Sequence, residues 1–124
     1  MTELGRITVH DEDDLRVIEI AGEIDASNAD DVRGAALDGL PNSAHGLILD
    51  LRALDYVDSA GIAVMFELGE RLSQRGQVLV LVVAPNALIA SALKVTEIDV
   101  VAPIVPTLEQ ARTRVLPADG ERSA

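Results

Sequence analysis

The chain has 124 residues, the length of one domain, and 48% of them are hydrophobic, which excludes wholesale disorder. Its 21 acidic and 10 basic residues give a formal net charge of −11, which opposes binding to nucleic acid or to an anionic membrane. The absence of cysteine excludes disulfides and thiolate metal sites and fits a reducing compartment. No apolar run approaches the roughly 20 residues that span a bilayer, so we expect a cytoplasmic protein without membrane insertion.

The N-terminal segments predict an antiparallel hairpin. Residues 7–9 alternate apolar and polar side chains, as a short strand does, and residues 15–21 form a second, more continuous apolar stretch. The acidic run at residues 11–14 between them is typical of a solvated turn, because like charges repel and stay in water.

A loop over residues 22–28 is expected to lead into the first helix. Ser27 and Asp30 have the spacing of a capping box, with Asp where Glu or Gln is usual. Gly39 and Pro41 predict the end of this helix. Its apolar face is predicted to consist of Val32, Ala36 and Leu40.

The centre of the chain predicts a strand, a helix and a second strand. Residues 47–51 and 78–83 are short, nearly continuous apolar runs, which are typical of parallel strands covered on both faces. A helix is predicted over residues 59–75, with Gly76 ending it, and a loop is expected between the first strand and that helix. The predicted apolar face of the helix is Ile62, Met65, Phe66, Gly69 and Leu72.

Three further elements are predicted towards the C-terminus. A helix opens after residues 84–86, residues 104–105 can form a short edge strand, and Thr107 can cap a last helix. The third helix is predicted to bury Leu88, Ile89, Ala92 and Leu93. The last helix is predicted to bury Leu108, Ala111 and Val115.

These elements predict an α/β fold. A single domain over residues 1–116 would contain a mixed β-sheet, with an antiparallel N-terminal hairpin and parallel central strands, packed with α-helices. Residues 117–124 are small and polar, so we expect a flexible C-terminal tail.

No residue set predicts catalysis. The two histidines, His10 and His45, fall on the first hairpin and in a loop, and the elbow motif of a serine hydrolase is missing its glycine, because Val57 stands two residues before Ser59. The acidic run at residues 11–14 lacks the glycine and the terminal glutamate of a calcium loop. No glycine-rich phosphate loop precedes a helix. We therefore expect no enzyme activity, no cofactor and no metal.

The segment that ends in residues 58–62 has the best place for function. It joins a buried strand to a helix, and the carboxyl ends of parallel strands are where such sheets usually carry their sites. Asp58 or Ser59 can cap the helix, while Ala60 and Gly61 keep its first turn small. By themselves, these residues also fit a well-capped helix packed close to a strand.

Two motifs give the chain a resemblance to a known family. Asp58-Ser59-Ala60-Gly61, after a buried strand, resembles the signature of STAS domains. Gly22-Glu23-Ile24-Asp25 resembles the second conspicuous motif of that family, before its first helix. The later elements follow in the same order, so the resemblance covers roughly residues 5–116. Within the family the chain is most similar to the bacterial anti-sigma-factor antagonists.

The resemblance implies a function in transcription regulation by partner switching, as in stress responses. An unphosphorylated antagonist binds an anti-sigma-factor serine kinase and frees the sigma factor. Phosphorylation of the serine that corresponds to Ser59 abolishes binding, and a serine phosphatase reverses it. Ala60 departs from the pattern, since family members often have a second Ser or Thr there.

The two motifs are expected to lie side by side and to form one partner-binding surface. Its predicted members are Asp25, Ser27, Asn28, Asp58, Ser59, Ala60, Gly61 and Ile62. An alternative within the same family is a STAS docking subunit of a lipid-transport or other membrane complex, which acts without phosphorylation. The two alternatives differ in the use of Ser59.

Overall fold

One mixed sheet organises the computed structural model, which describes residues 5–12 and 14–117. The predicted tail over residues 117–124 therefore lies, apart from Pro117, outside the described residues. In chain order the elements are β1 (Gly5–Asp11), β2 (Leu15–Ile24), α1 (Ala29–Leu37), β3 (Gly46–Asp50), β4 (Leu54–Val57), α2 (Ser59–Gln74), β5 (Val78–Val82), α3 (Leu88–Val95), a 3₁₀ turn (Ile98–Val100), β6 (Ile104–Val105) and α4 (Leu108–Val115).

The strands lie in the order β1-β2-β3-β5-β6, and β4 pairs with β2 beyond the end of β3. β1 and β2 are antiparallel, whereas the four other pairings are parallel. This confirms the predicted α/β fold with its N-terminal hairpin and parallel centre. It also places the carboxyl ends of β2, β4 and β5, which lead into α1, α2 and α3, at the same end of the sheet.

The helices cover both faces of the sheet. α1, α2 and α3 pack on one face, where Val32, Met65 and Leu93 belong to the same buried core as the strand residues Leu47 and Leu49. α4 packs on the other face against strand residues that include Ile48 and Val80. The central strands are therefore buried on both sides, as their continuous apolar runs predict.

The strand β4 corrects the expected loop before α2. β2 continues to Ile24, although it pairs with β3 only as far as Glu19. Residues 22–24 of β2 pair with β4, and the Gly22 N–H donates a hydrogen bond to the Ala53 carbonyl at the start of this pairing. The expectation of a loop over residues 22–28 is accordingly wrong for residues 22–24, because these have a strand partner.

The capping of the helices is partly as predicted. Asp58 caps α2, and the Thr107 hydroxyl accepts a hydrogen bond from the Gln110 N–H at the start of α4. The predicted capping box of Ser27 and Asp30 is wrong. α1 instead begins after Asn28, and no side chain caps it.

α3 shows a second difference, in its buried face. Leu93 and Ile89 are buried as predicted, but Leu88 is 91% exposed and Ala92 also faces solvent, while Ala90 is buried instead. Apolar residues occupy most of the circumference of this eight-residue helix, so its spacing does not select one face. The contacts with the sheet decide the orientation.

Candidate functional site

The two sequence motifs meet where β2 and β4 end. Ile24 pairs with Val57 in the parallel ladder, and the Asp58 N–H donates a hydrogen bond to the Ile24 carbonyl at 3.1 Å. Asp25 and Asp58 therefore follow the carboxyl ends of two neighbouring strands, at the same end of the sheet. The structure brings the segments of residues 22–28 and 58–62 together, as expected.

Asp58 fixes the first turn of α2. Its Oδ1 accepts hydrogen bonds from the Ala60 N–H at 2.9 Å and the Gly61 N–H at 3.1 Å. Its carbonyl accepts a hydrogen bond from the Ile62 N–H at 3.0 Å. Ser59 is the first residue of the helix and is exposed. Within the described part of the chain, its hydroxyl has no hydrogen-bond partner, so it is free to react or to bind.

Gly61 packs the helix against the sheet and does not belong to the exposed surface. A Cβ at this position would lie 2.6 Å from Val57 Cγ2 and 2.8 Å from Ile24 Cγ2. The residue is buried, and its contact with a partner stays a prediction. Its role is to allow the N-terminus of α2 to approach the ends of β2 and β4.

A tight turn presents Asp25. The Ser27 hydroxyl and the Ser27 N–H both donate hydrogen bonds to Asp25 Oδ1, at 2.5 Å and 2.8 Å. The hydroxyl and then the N–H of Ser27 lower the pKa of the Asp25 carboxyl, because they stabilise its charged form. Asp25 thus carries its negative charge at neutral pH, beside the turn that holds Ser59.

Asn28 supports this turn from below. Its Oδ1 accepts a hydrogen bond from the Asp25 N–H and its Nδ2 donates one to the Glu23 carbonyl, both at 2.9 Å. The residue is only 9% exposed, so its predicted place on the exposed surface is wrong. An asparagine suits this position because one side chain satisfies a backbone donor and a backbone acceptor.

The connection between β3 and β4 is held by Asp50, which is buried at the end of β3. Burial alone would raise the pKa of its carboxyl, but hydrogen bonds from the side chain and the backbone N–H of Arg52 outweigh it, and the pKa is lowered. The ion pair with Arg52 has an N–O distance of 2.8 Å. It shapes the turn that leads into β4 and towards Ser59.

Two exposed side chains with large apolar surfaces lie at the end of the sheet that carries Ser59, and they were not among the predicted site residues. Tyr56 of β4 is 50% exposed and lies two residues before Asp58. Leu88 begins α3, which follows the carboxyl end of β5 and packs against β4. Exposure of these side chains depends on how β4 and α3 pack, so the sequence pattern did not reveal it.

Neither histidine of the chain lies near Ser59. His45 precedes β3, and His10 pairs with Val17 near the start of β2, so both lie towards the opposite end of the parallel strands from Ser59. Among residues 5–12 and 14–117, no three His, Cys, Asp or Glu side chains converge as metal ligands. No helix in the same ranges is long and apolar enough to cross a membrane.

Comparison with known proteins places the fold in a family. Residues 6–111 match the family model of the STAS domain. The chain belongs to the STAS domain family, which confirms the resemblance of its two motifs.

The solved structures that are similar to the chain include two antagonists and a transporter. An anti-sigma factor antagonist from Mycobacterium paratuberculosis has 27% sequence identity over 90% of this chain and 93% of its own, with a TM-score of 0.77. The anti-sigma factor antagonist SpoIIAA, solved in its unphosphorylated form, has 17% identity over 91% and 100%, with a TM-score of 0.69. The murine anion transporter Slc26a9 has 18% identity over 82% of this chain and 17% of its own, with a TM-score of 0.66.

Proposed function

We propose that this protein is an anti-sigma-factor antagonist that works by partner switching. Its unphosphorylated form binds an anti-sigma-factor serine kinase and releases the sigma factor, phosphorylation at Ser59 abolishes this binding, and a serine phosphatase restores it. The observation that carries the proposal is the exposed Ser59 hydroxyl at the start of α2, next to the Asp25 turn. The 27% identity to an antagonist over nearly the whole of both chains supports it.

The hydrogen bonds of Asp58 explain how a phosphate on Ser59 would act. The free N–H groups at a helix N-terminus usually stabilise a bound anion. In α2, however, the Ala60 and Gly61 N–H groups already donate hydrogen bonds to Asp58 Oδ1, so they are not free to bind a phosphate. A phosphate adds about −1.5 to −2 charges, here beside the Asp58 and Asp25 carboxylates. In the free protein water can solvate this charge. In a complex the phosphate would have to lose that water, which opposes binding.

Ala60 leaves Ser59 as the single acceptor of the motif. The Ala60 side chain is half-buried and packs against the main core, so a second hydroxyl is replaced by an apolar contact. Residues 58–62 then contain one hydroxyl, that of Ser59. We expect one phosphate per chain, without a competing position in the same turn.

The proposal is tested by phosphorylation and by binding. The protein is incubated with candidate anti-sigma-factor kinases and ATP, and mass spectrometry locates the phosphate. Ser59→Ala should bind the kinase but accept no phosphate, and Ser59→Asp should bind about tenfold more weakly. Ser73→Asp is the matched control, because Ser73 is exposed near the other end of α2. It should bind like the unchanged protein.

The second candidate function is a STAS docking module that does not use phosphorylation. The similarity to a 17% portion of an anion transporter favours it, because the matched region there is a small part of a longer transporter chain. This candidate predicts equal partner affinity for the unchanged chain, Ser59→Ala and Ser59→Asp. That result, with no phosphate found on Ser59, would contradict the antagonist.

A further inference from the structure

A surface cavity of about 540 Å³ lies at the β6 edge of the sheet, where α3 and α4 also contribute. Val83, Ala90 and Ile104 form part of its apolar lining. Lys94 of α3 and Arg114 of α4 bring two positive charges to the same cavity. The volume is within the range of about 300–1,000 Å³ that small-molecule sites usually have.

The two cations of this cavity differ from most others in the chain. Arg16, Arg33, Arg52, Arg71 and Arg112 each form an ion pair with a carboxylate. In the ranges that the structure describes, no carboxylate lies within ion-pair distance of the two cavity cations. The protein has a net charge of −11, yet this apolar cavity has two cations without such partners. The local charge is therefore opposite in sign to that of the whole chain.

The lining also limits the kind of anion. Asp99 belongs to it, so the three charged side chains sum to one positive charge. A polyanion would also meet this carboxylate, whereas a single anionic group is attracted by the net positive charge of the lining. Three prolines in the lining restrict the backbone around the cavity, which reduces the ordering cost of binding.

We propose that the cavity binds a small organic anion that has one anionic group on an apolar body. The anionic group interacts with Lys94 and Arg114, and the apolar body contacts Val83, Ala90 and Ile104. The lining shares no residue with the segments of residues 22–28 and 58–62, and occupation of the cavity does not depend on a kinase. The inference therefore stands independently of the proposed antagonist function.

The test uses a matched pair of fluorescent probes. 8-Anilinonaphthalene-1-sulfonate has an aromatic body with one sulfonate, and N-phenyl-1-naphthylamine has the same body without the charge. The sulfonate probe should bind saturably to one site. The double variant with Lys94→Gln and Arg114→Gln should bind it at least tenfold more weakly, with the neutral probe changed less than twofold. Asp99→Asn should bind the sulfonate probe about twofold to fivefold more tightly.

Arg6→Gln is the charge control, because Arg6 is exposed on β1 at the opposite edge of the sheet. Its affinity for the sulfonate probe should be unchanged, and amide shifts in NMR spectra should map the bound probe to Ala90 and Ile104. Circular dichroism confirms that each variant is folded. The proposal is overturned if binding is not saturable, if Arg6→Gln weakens it equally, or if the amide shifts lie elsewhere.

Discussion

The buried amide of Asn28 positions the backbone of Asp25: Asn28 Oδ1 accepts the hydrogen bond of the Asp25 N–H at 2.9 Å. The second hydrogen bond, from Asn28 Nδ2 to the Glu23 carbonyl, ties the same side chain to the end of β2. The exposed carboxylate of Asp25 thus depends on an internal residue for its place at the candidate surface. Substitutions at the two positions should consequently have different effects.

Asn28→Ala should lower the free energy of unfolding by about 1–3 kcal/mol, because it leaves a partly buried donor and a partly buried acceptor without partners. Ser27→Ala is the control, since it removes an exposed hydrogen bond to the Asp25 carboxylate and should cost less than about 0.5 kcal/mol. Chemical denaturation of both variants measures the difference. Equal stabilities would mean that Asn28 does not hold the turn.

The sequence predicts the centre of this fold well, for a physical reason. β3 and β5 are covered on both faces, so continuous apolar runs mark them, and α2 is long enough for its helical spacing to be clear. β4 has no such signal, because its four residues become a strand only by pairing with the overlong β2. Short elements of this kind depend on a partner that is distant in the sequence.

The candidate site was predictable in position but not in the role of each residue. Its two motifs lie where the order of parallel strands places them, with Asp58 as the helix cap. The burial of Asn28 and Gly61 depends on how the turn folds back on β1 and how α2 packs on β2. Spacing along the chain contains no information on either contact, so the sequence did not reveal that both residues are buried.

Two helical glycines should respond to alanine in opposite directions. Gly61→Ala places a Cβ within 2.6 Å of Val57 Cγ2, and such overpacking typically costs about 1–3 kcal/mol. Gly34→Ala in α1 meets only the end of the Asp38 side chain, at 3.3 Å, and alanine favours a helix by up to about 1 kcal/mol. Thermal unfolding of both variants checks the signs. A Gly61→Ala variant as stable as the parent chain would contradict the close approach of α2.

The ion pair of Glu12 and Arg112 should make stability depend on pH in acid. It joins the β1–β2 turn to α4, and the Arg112 hydrogen bonds lower the pKa of Glu12 from its ordinary value of 4.5. A lowered pKa means that the stabilisation is present above pH 4.5 and is lost as the pH falls through the folded-state pKa.

Glu12→Gln should therefore lower the free energy of unfolding at pH 7 by about 0.5–1 kcal/mol, the upper range for a partly exposed pair. The difference from the unchanged chain should shrink as the pH falls below 4.5 and disappear below the lowered folded-state pKa, where Glu12 is protonated in both states. Urea denaturation across this range gives the two curves. A constant offset at every pH would show that the glutamate acts through packing and not through its charge.

Leu88 and Val95 offer a matched test of where the kinase binds, which rests on the proposed function. They are 91% and 83% exposed at the two ends of α3, so neither supports the core. Leu88 lies at the end of the sheet that carries Ser59, whereas Val95 lies one helix length away from that end. Apolar side chains at the centre of an interface are among those that bind most strongly, and a charge there must be dehydrated.

Leu88→Asp should weaken kinase binding at least tenfold and Val95→Asp less than twofold, as measured by calorimetric titration with unfolding curves as the folding control. If both variants bind like the unchanged chain, the interface does not extend from Ser59 to α3, and if Val95→Asp alone weakens binding, the partner uses the other end of the helix.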